Sequence, residues 1–239
     1  MRDEAASPGI TPAQQTAAKV VGALYIIQMA LAIFGESIVR GRLVVPRDAV
    51  QTAANITGSE TLFRLSLVGD LLIYASLVVL IWGNYVILKP INKDMALLAA
   101  FFRLVEQAIL SVTTFAGFIA LRLLGDAEYL RGIDPAQLQS LARAFLSMYG
   151  IGLSIGFVFL GLGSAVFSYG WLKSGYIPRA LAYLGIFASL LLTVMTLVTM
   201  VFPAVWARIG MAYMMPMGLF EVGLGLWLLI KGLREPRDV

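Results

Sequence analysis

The 239 residues are 59% hydrophobic and only 13% charged, and a mean hydropathy of +0.85 lies far outside the range of soluble globular domains. A spanning helix needs about 20 apolar residues, so the chain has room for a single integral membrane domain over residues 1–239 and for no soluble domain beside it. The formal charge of +4 is dispersed over helix ends, which excludes nucleic acid as a partner, and the lack of cysteine and histidine excludes disulfides, thiol nucleophiles, histidine-held haem and the usual zinc sites. Carboxylate chemistry is left, and neither a cofactor nor a metal site is expected.

Residues 1–11 are polar and broken by Pro8 and Gly9, which reads as a short cytoplasmic lead rather than a signal peptide. Thr11, Pro12 and Gln14 then have the pattern of an N-cap, a first-turn proline and a capping-box glutamine. They predict a first helix to about Val39, interrupted by Gln28 and ending on Gly35, Glu36 and Arg40. The stretch RGRLVVPRDAVQTAANITGSE (40–60) is too polar to span, and predicts a short interfacial helix over Ala49 to Ile56 with Asp48 at the N-cap. Its Asn55-Ile56-Thr57 sequon is a weak pattern and receives no role.

Helix two is expected from Thr61 to Leu88, capped by Ser59 with Glu60 in the first turn, where a negative charge suits the helix dipole. It is expected to carry both Arg64 and Asp70 inward. The short connection 89–94 makes it an antiparallel hairpin with helix three, Met95 to Leu124. After a polar loop over Gly125 to Gln137, which includes Asp126, helix four runs to about Trp171. Its Gly152, Gly156, Gly161, Gly163 and Ser164 mark it as the packing post, because small residues let backbones approach closely in lipid. Helix five, from Pro178 to Val201, has no charge in its body. A connection holding Pro203, Trp206 and Arg208 leads to helix six, Ala212 to Leu233, which carries Glu221 and ends in a basic tail over 232–239 that includes Arg234 and Arg237. The expected fold class is therefore all-α, a polytopic bundle of six transmembrane helices.

Every lysine (Lys19, Lys89, Lys93, Lys173, Lys231) falls at one end of an even-span bundle. The positive-inside rule makes that end cytoplasmic, with both termini inside and the loops after helices one and three outside. The location expected is the cytoplasmic membrane of a bacterial cell.

The charges that a spanning helix accommodates least well are the functional signal, since each costs about 2.5–3.5 kcal/mol at a helix centre and must face protein or water. At 1.5 Å rise per residue, Arg103 lies about 12 Å beyond the start of helix three and Glu106 near the midplane. Arg103 and Glu106 share a helical face three positions apart, and Gln107, Ser111 and Thr114 extend it as a polar stripe. Depth alone allows Glu36, Arg40, Arg64, Asp70, Arg103, Glu106 and Glu221 to converge on one outward-facing chamber. There the acids exceed the deep bases and invite protonation, or a cationic or hydroxyl-bearing ligand. Arg103, Glu106, Asp70, Arg64, Glu36, Glu221, Arg40 and Gln107 are the candidate binding or coupling residues. No catalytic residue is assigned.

Three function classes follow. The chamber binds or carries a small solute or a lipid head group; or paired carboxylates work as acid and base in an intramembrane enzyme, although no serine elbow, HExxH or phosphate-cradling loop accompanies them; or the charges are clamps in a structural subunit of a membrane complex. Partners expected are the bilayer and a small-molecule or lipid ligand, with a homo-oligomer left open. Retinal is excluded as a ligand because no lysine lies within a helix body.

The stretches RGRLVVPRDAVQTAANITGSETLFRLSLVGDLL, LKPINKDMALLAAFFRLVEQAIL, KSGYIPRALAYLGI and FEVGLGLWLLIKG, in this order, resemble the bacterial family of multi-pass membrane proteins called domain of unknown function 4386. The resemblance covers most of the chain and implies a six-helix bundle. It makes Arg64, Asp70, Arg103, Glu106 and Glu221 of interest as shared polar positions and implies no activity, ligand or catalytic residue.

Overall fold

The structure is a computed structural model and describes residues 9–125 and 128–235. The start of the expected lead, Asp126 of the second polar loop and Arg237 of the tail lie outside these residues. Six helices are long and apolar enough to cross a membrane: α1 (Pro12–Leu43), α3 (Glu60–Leu88), α4 (Lys93–Leu124), α5 (Pro135–Ser174), α6 (Arg179–Val201) and α8 (Met215–Ile230), the last entered through a 3-10 turn at Ala212–Met214. Two short helices, α2 (Ala49–Gly58) and α7 (Pro203–Ile209), lie in the connections.

The helix starts follow their capping chemistry. Thr11 Oγ1 accepts from the Gln14 amide at 3.2 Å while Gln14 Oε1 accepts from the Thr11 amide at 2.9 Å, a complete capping box. Asp48 caps α2 by accepting from the Gln51 amide. Ser59 makes no side-chain cap for α3, contrary to the sequence reading; the acidic first turn from Glu60 remains. The second polar loop is also shorter than expected, because Asp134 accepts from the Ala136 amide and Pro135 opens α5. At 40 residues, α5 reaches about 60 Å, twice the thickness of a hydrocarbon core.

The spans close a ring in chain order, each packing on the next and α8 returning to α1, with the most extensive interface between α4 and α5. Glycines set two of these crossings. A Cβ on Gly152 would collide with Thr113 of α4 and one on Gly156 would meet Leu110 Cδ2 at 2.7 Å, while Gly161 faces Thr193 and Ser189 of α6. The small residues of α5 thus receive neighbours on both sides. The main apolar core includes Val21, Leu80, Ile81, Trp171, Leu192, Leu224 and Leu228; a smaller one, with Ile56 of α2 over Phe63 and Leu67, closes the end where the first arginines lie. On α6 the buried positions Ala182, Gly185, Ser189, Leu192 and Thr196 recur at helical spacing, and Phe187, Leu190, Val194 and Val201 point outward, as a helix does between protein and lipid.

The two ends of the bundle differ. At one, all the lysines are exposed and the segments are tied together: Gln14 Nε2 donates to Ile87 O at 3.1 Å, Gln15 Nε2 to Leu233 O at 3.2 Å, and the Arg234 amide to Tyr176 O at 2.9 Å. The opposite end carries Arg42, Arg47, Arg122, α2 and α7. These are called the lysine face and the arginine face below.

Candidate functional site

Near the arginine face, α1 changes from α to π geometry over Ile33–Arg40, a local widening that often accompanies a functional site. Gly35 in that segment leaves space that Arg40 fills: a Cβ there would lie 2.9 Å from Arg40 Nη2 and 3.4 Å from Asp70 Oδ1. The guanidinium turns back to Glu36 (Nε–Oε1 3.0 Å, Nη2–Oε1 2.8 Å), grips Asp70 of α3 with both Nη atoms at 2.9 and 3.0 Å, and reaches Ser66 Oγ at 3.4 Å. Four of these contacts are hydrogen bonds, and the Nη2 approach to Glu36 is a charge contact. The Tyr149 ring of α5 lies 4.8 Å from the guanidinium carbon, in cation–π range. Its hydroxyl sits 3.1 Å from Glu36 Oε1 and 3.0 Å from Asp70 Oδ2. Arg40, Asp70 and Tyr149 are buried, whereas the Glu36 side chain is 38% exposed. Arg40 is the hub of this outer group.

A second, central group lies deeper. On α4, Arg103 Nη1 and Glu106 Oε2 are 2.9 Å apart, an i,i+3 ion pair with both residues 2–3% exposed. The pair is in charge contact without the alignment of a hydrogen bond. Room for the arginine stem comes from Gly163 of α5, whose Cβ would fall 2.8 Å from Arg103 Cγ and 3.1 Å from Ala99 O. Gln107, 3% exposed, lies beside the Glu106 carboxylate but makes no aligned hydrogen bond through Nε2 or Oε1. Tyr25 of α1, beside Asn84 of α3, and Glu221 of α8 complete the group within electrostatic reach of Arg103. Asn84 is buried, donates to Leu80 O at 3.0 Å, and has no partner for Oδ1. Glu221 is half-buried. Arg103, ten positions into α4, and Glu221, nine from the end of α8, stand at nearly the same level, about 14–15 Å from the lysine face.

The expected single chamber is thus two groups. Counted from the lysine face, Arg103 lies about 15 Å deep, Gln107 about 21 Å and Asp70 about 27 Å, so the nearest members of the two groups differ in depth by about 6–10 Å. Glu36, Arg40 and Asp70 belong to the outer group; Arg103, Glu106, Gln107 and Glu221 belong to the central one. Arg64 belongs to neither, and its expected inward placement is corrected. It is half-exposed and paired with Glu60 one turn away on α3. The six-residue step to Asp70 turns the helix by about 600°, leaving the two side chains about 120° apart. The central group is occluded in this conformation rather than open to the arginine face, since its ion pair and Gln107 are almost wholly buried.

Sequence reading did not single out Tyr149, Asn84 or Tyr25, because an uncharged side chain in an apolar helix carries no large insertion cost to mark it. A separate, mainly apolar cleft of about 580 Å³ opens between α5, the end of α6 and α7, lined by residues including Ile151, Phe157, Met200 and Trp206.

In its chemistry the central group has open donors in Arg103 Nη1 and Gln107 Nε2 and open acceptors in Gln107 Oε1 and Glu106 Oε2, with two carboxylates against one guanidinium. That suits a ligand rich in N–H or O–H groups. Compared with known proteins, residues 20–232 match the model of a protein family described as a domain of unknown function, DUF4386. No curated protein and no solved structure matches the chain.

Proposed function

The chain belongs to the DUF4386 family, whose description carries no activity, and on the site itself we propose that this multi-pass membrane protein binds and carries a small cationic or hydroxyl-bearing solute at the central group. One observation carries the reading: both polar atoms of Gln107 are buried without an aligned hydrogen bond beside the Arg103–Glu106 pair. A buried polar atom left unsatisfied costs about 1–3 kcal/mol, and so is uncommon unless something occupies the site for part of a working cycle. The excess of carboxylate over guanidinium favours a protonated amine, or a polyol whose hydroxyls donate to Glu221 and Gln107.

A solute held midway between the faces and closed from both is the occluded state of a carrier, and midplane placement is where transporters hold their cargo. The segregation of lysines supports an orientation with the lysine face in the cytoplasm and the arginine face outside, in the cytoplasmic membrane of a bacterium. The outer group, with Arg40 bonded to Glu36, Asp70 and Ser66 and covered by the Tyr149 ring, reads as the clamp that fastens α1, α3 and α5 together. Isothermal titration of the protein in lipid nanodiscs with a panel of small amines and polyols tests the proposal. Saturable binding that Glu221→Gln and Gln107→Met each weaken at least tenfold supports it; binding unchanged in both variants, or no binding across the panel, counts against it.

A further inference from the structure

We propose that Glu36, Tyr149 and Asp70 form a proton-relay site that takes up one proton from the arginine-face side. The inference rests on a hydrogen count and stands apart from the solute reading. Three oxygens are held in a row, Glu36 Oε1 to Tyr149 Oη at 3.1 Å and Tyr149 Oη to Asp70 Oδ2 at 3.0 Å. Each of these contacts needs a hydrogen between its oxygens, and the Tyr149 hydroxyl brings one. No neighbour supplies the other: the Arg40 N–H groups are directed at Glu36, Asp70 and Ser66, the Ser66 hydroxyl donates to Phe63 O at 2.7 Å, and the Tyr74 hydroxyl faces Tyr149. A proton on one carboxyl completes the row.

The charge count gives the same answer. Facing one another are Glu36 and Arg40 from α1, Ser66, Asp70 and Tyr74 from α3, and Tyr149 from α5. With both acids ionised, two carboxylates oppose one guanidinium, and a surplus charge in a largely buried cluster is unfavourable. One proton makes the group neutral. The two ends of the row differ in access, because the Glu36 side chain is 38% exposed and that of Asp70 only 4%. Glu36 is therefore the entrance. A proton taken from water by the Glu36 carboxylate gives a carboxylic acid; its O–H hydrogen passes to the Tyr149 oxygen as the Tyr149 hydrogen passes to Asp70. Tyrosine stays neutral throughout, and the net change is one proton moved from Glu36 to Asp70. Because α1 and α3 also bear Tyr25 and Asn84 of the central group, the relay lies on the same two helices as the solute site.

Infrared difference spectroscopy of the full chain in lipid bilayers, between alkaline and acidic buffer and in both H₂O and D₂O, tests the proposal. The wild type is expected to show a protonated-carboxyl C=O stretch that shifts in D₂O. Glu36→Gln should remove one carboxyl's worth of that intensity, because Asp70 alone then balances Arg40, whereas Glu106→Gln should leave this component in place. Tyr149→Phe keeps the ring against Arg40, and should retain the band at a displaced frequency because the acid has lost its acceptor. A wild type without the band, a Glu36→Gln spectrum of undiminished intensity, or a Tyr149→Phe spectrum superimposable on wild type overturns the relay. Should Glu36→Gln fail to fold, the frequency in Tyr149→Phe decides alone.

Discussion

Replacing Gln107 by methionine separates a binding site from a structural one, because the two readings predict opposite signs. Methionine has similar length and volume but no hydrogen-bonding groups to leave unsatisfied. In the unliganded protein Gln107 holds two buried polar atoms without an aligned hydrogen bond, its amide lying beside the Glu106 carboxylate, and each unsatisfied atom costs about 1–3 kcal/mol in a soluble protein. Within a bilayer the scale is smaller, with side-chain hydrogen bonds averaging about 0.6 kcal/mol, so Gln107→Met should stabilise the empty protein by about 1–2 kcal/mol. For a domain of this size that is a rise in Tm of about 2–8 °C. The same change removes one or two contacts from a bound solute and should weaken its binding about 10- to 100-fold. Thermal unfolding in nanodiscs, followed through the four tryptophans, gives the first quantity and titration gives the second. A Tm that falls clearly with solute binding intact would refute the reasoning, since Gln107 would then be a structural residue satisfied in the protein as it stands.

Other substitutions have equally definite outcomes. Gly163→Val puts a branched side chain where Arg103 Cγ and Ala99 O leave no room, and should destabilise by about 1–3 kcal/mol, measured by the same unfolding assay. Arg40→Met strands the buried Asp70 beside Glu36 and should cost about 3–5 kcal/mol. Arg64→Ala breaks only a half-exposed pair with Glu60 and should cost less than about 1 kcal/mol; equal losses from the two would contradict their assignment to different environments. Because the chain has no cysteine, single-cysteine variants report orientation directly. In intact cells, Gln51→Cys on α2 should react with a membrane-impermeant maleimide and Lys93→Cys should not, and the reverse pattern would invert the topology.

The sequence discloses depth and boundaries well because both follow from local chemistry. Thr11, Pro12 and Gln14 predict the start of α1, Asp48 that of α2, and the apolar runs the six spans, since each signal acts within one or two turns. The Asp134-Pro135 pair carried the same kind of information for α5, and the expected loop ran past it. Side-chain direction was harder to read. Arg64 and Asp70 are both charged and both on α3, but their spacing sends them to different surroundings. Glu36 and Asp70 were placed in one chamber with Arg103, when Arg103 and Asp70 differ in depth by about 12 Å and belong to separate groups. Tyr149 comes from α5 to meet residues more than 70 positions away in the chain, a meeting fixed by how the glycines of α5 seat it against α4. The π segment that presents Arg40 leaves no periodic signal in so short a stretch.

Mass spectrometry under native conditions, on protein extracted gently from its own membrane, tests the central claim most directly. The account predicts a small polar molecule, cationic or rich in hydroxyls, retained by the wild type and lost from Gln107→Met. Wild-type protein that carries no such molecule from any extraction, or an adduct held equally by the variant, would contradict a solute site at the central group.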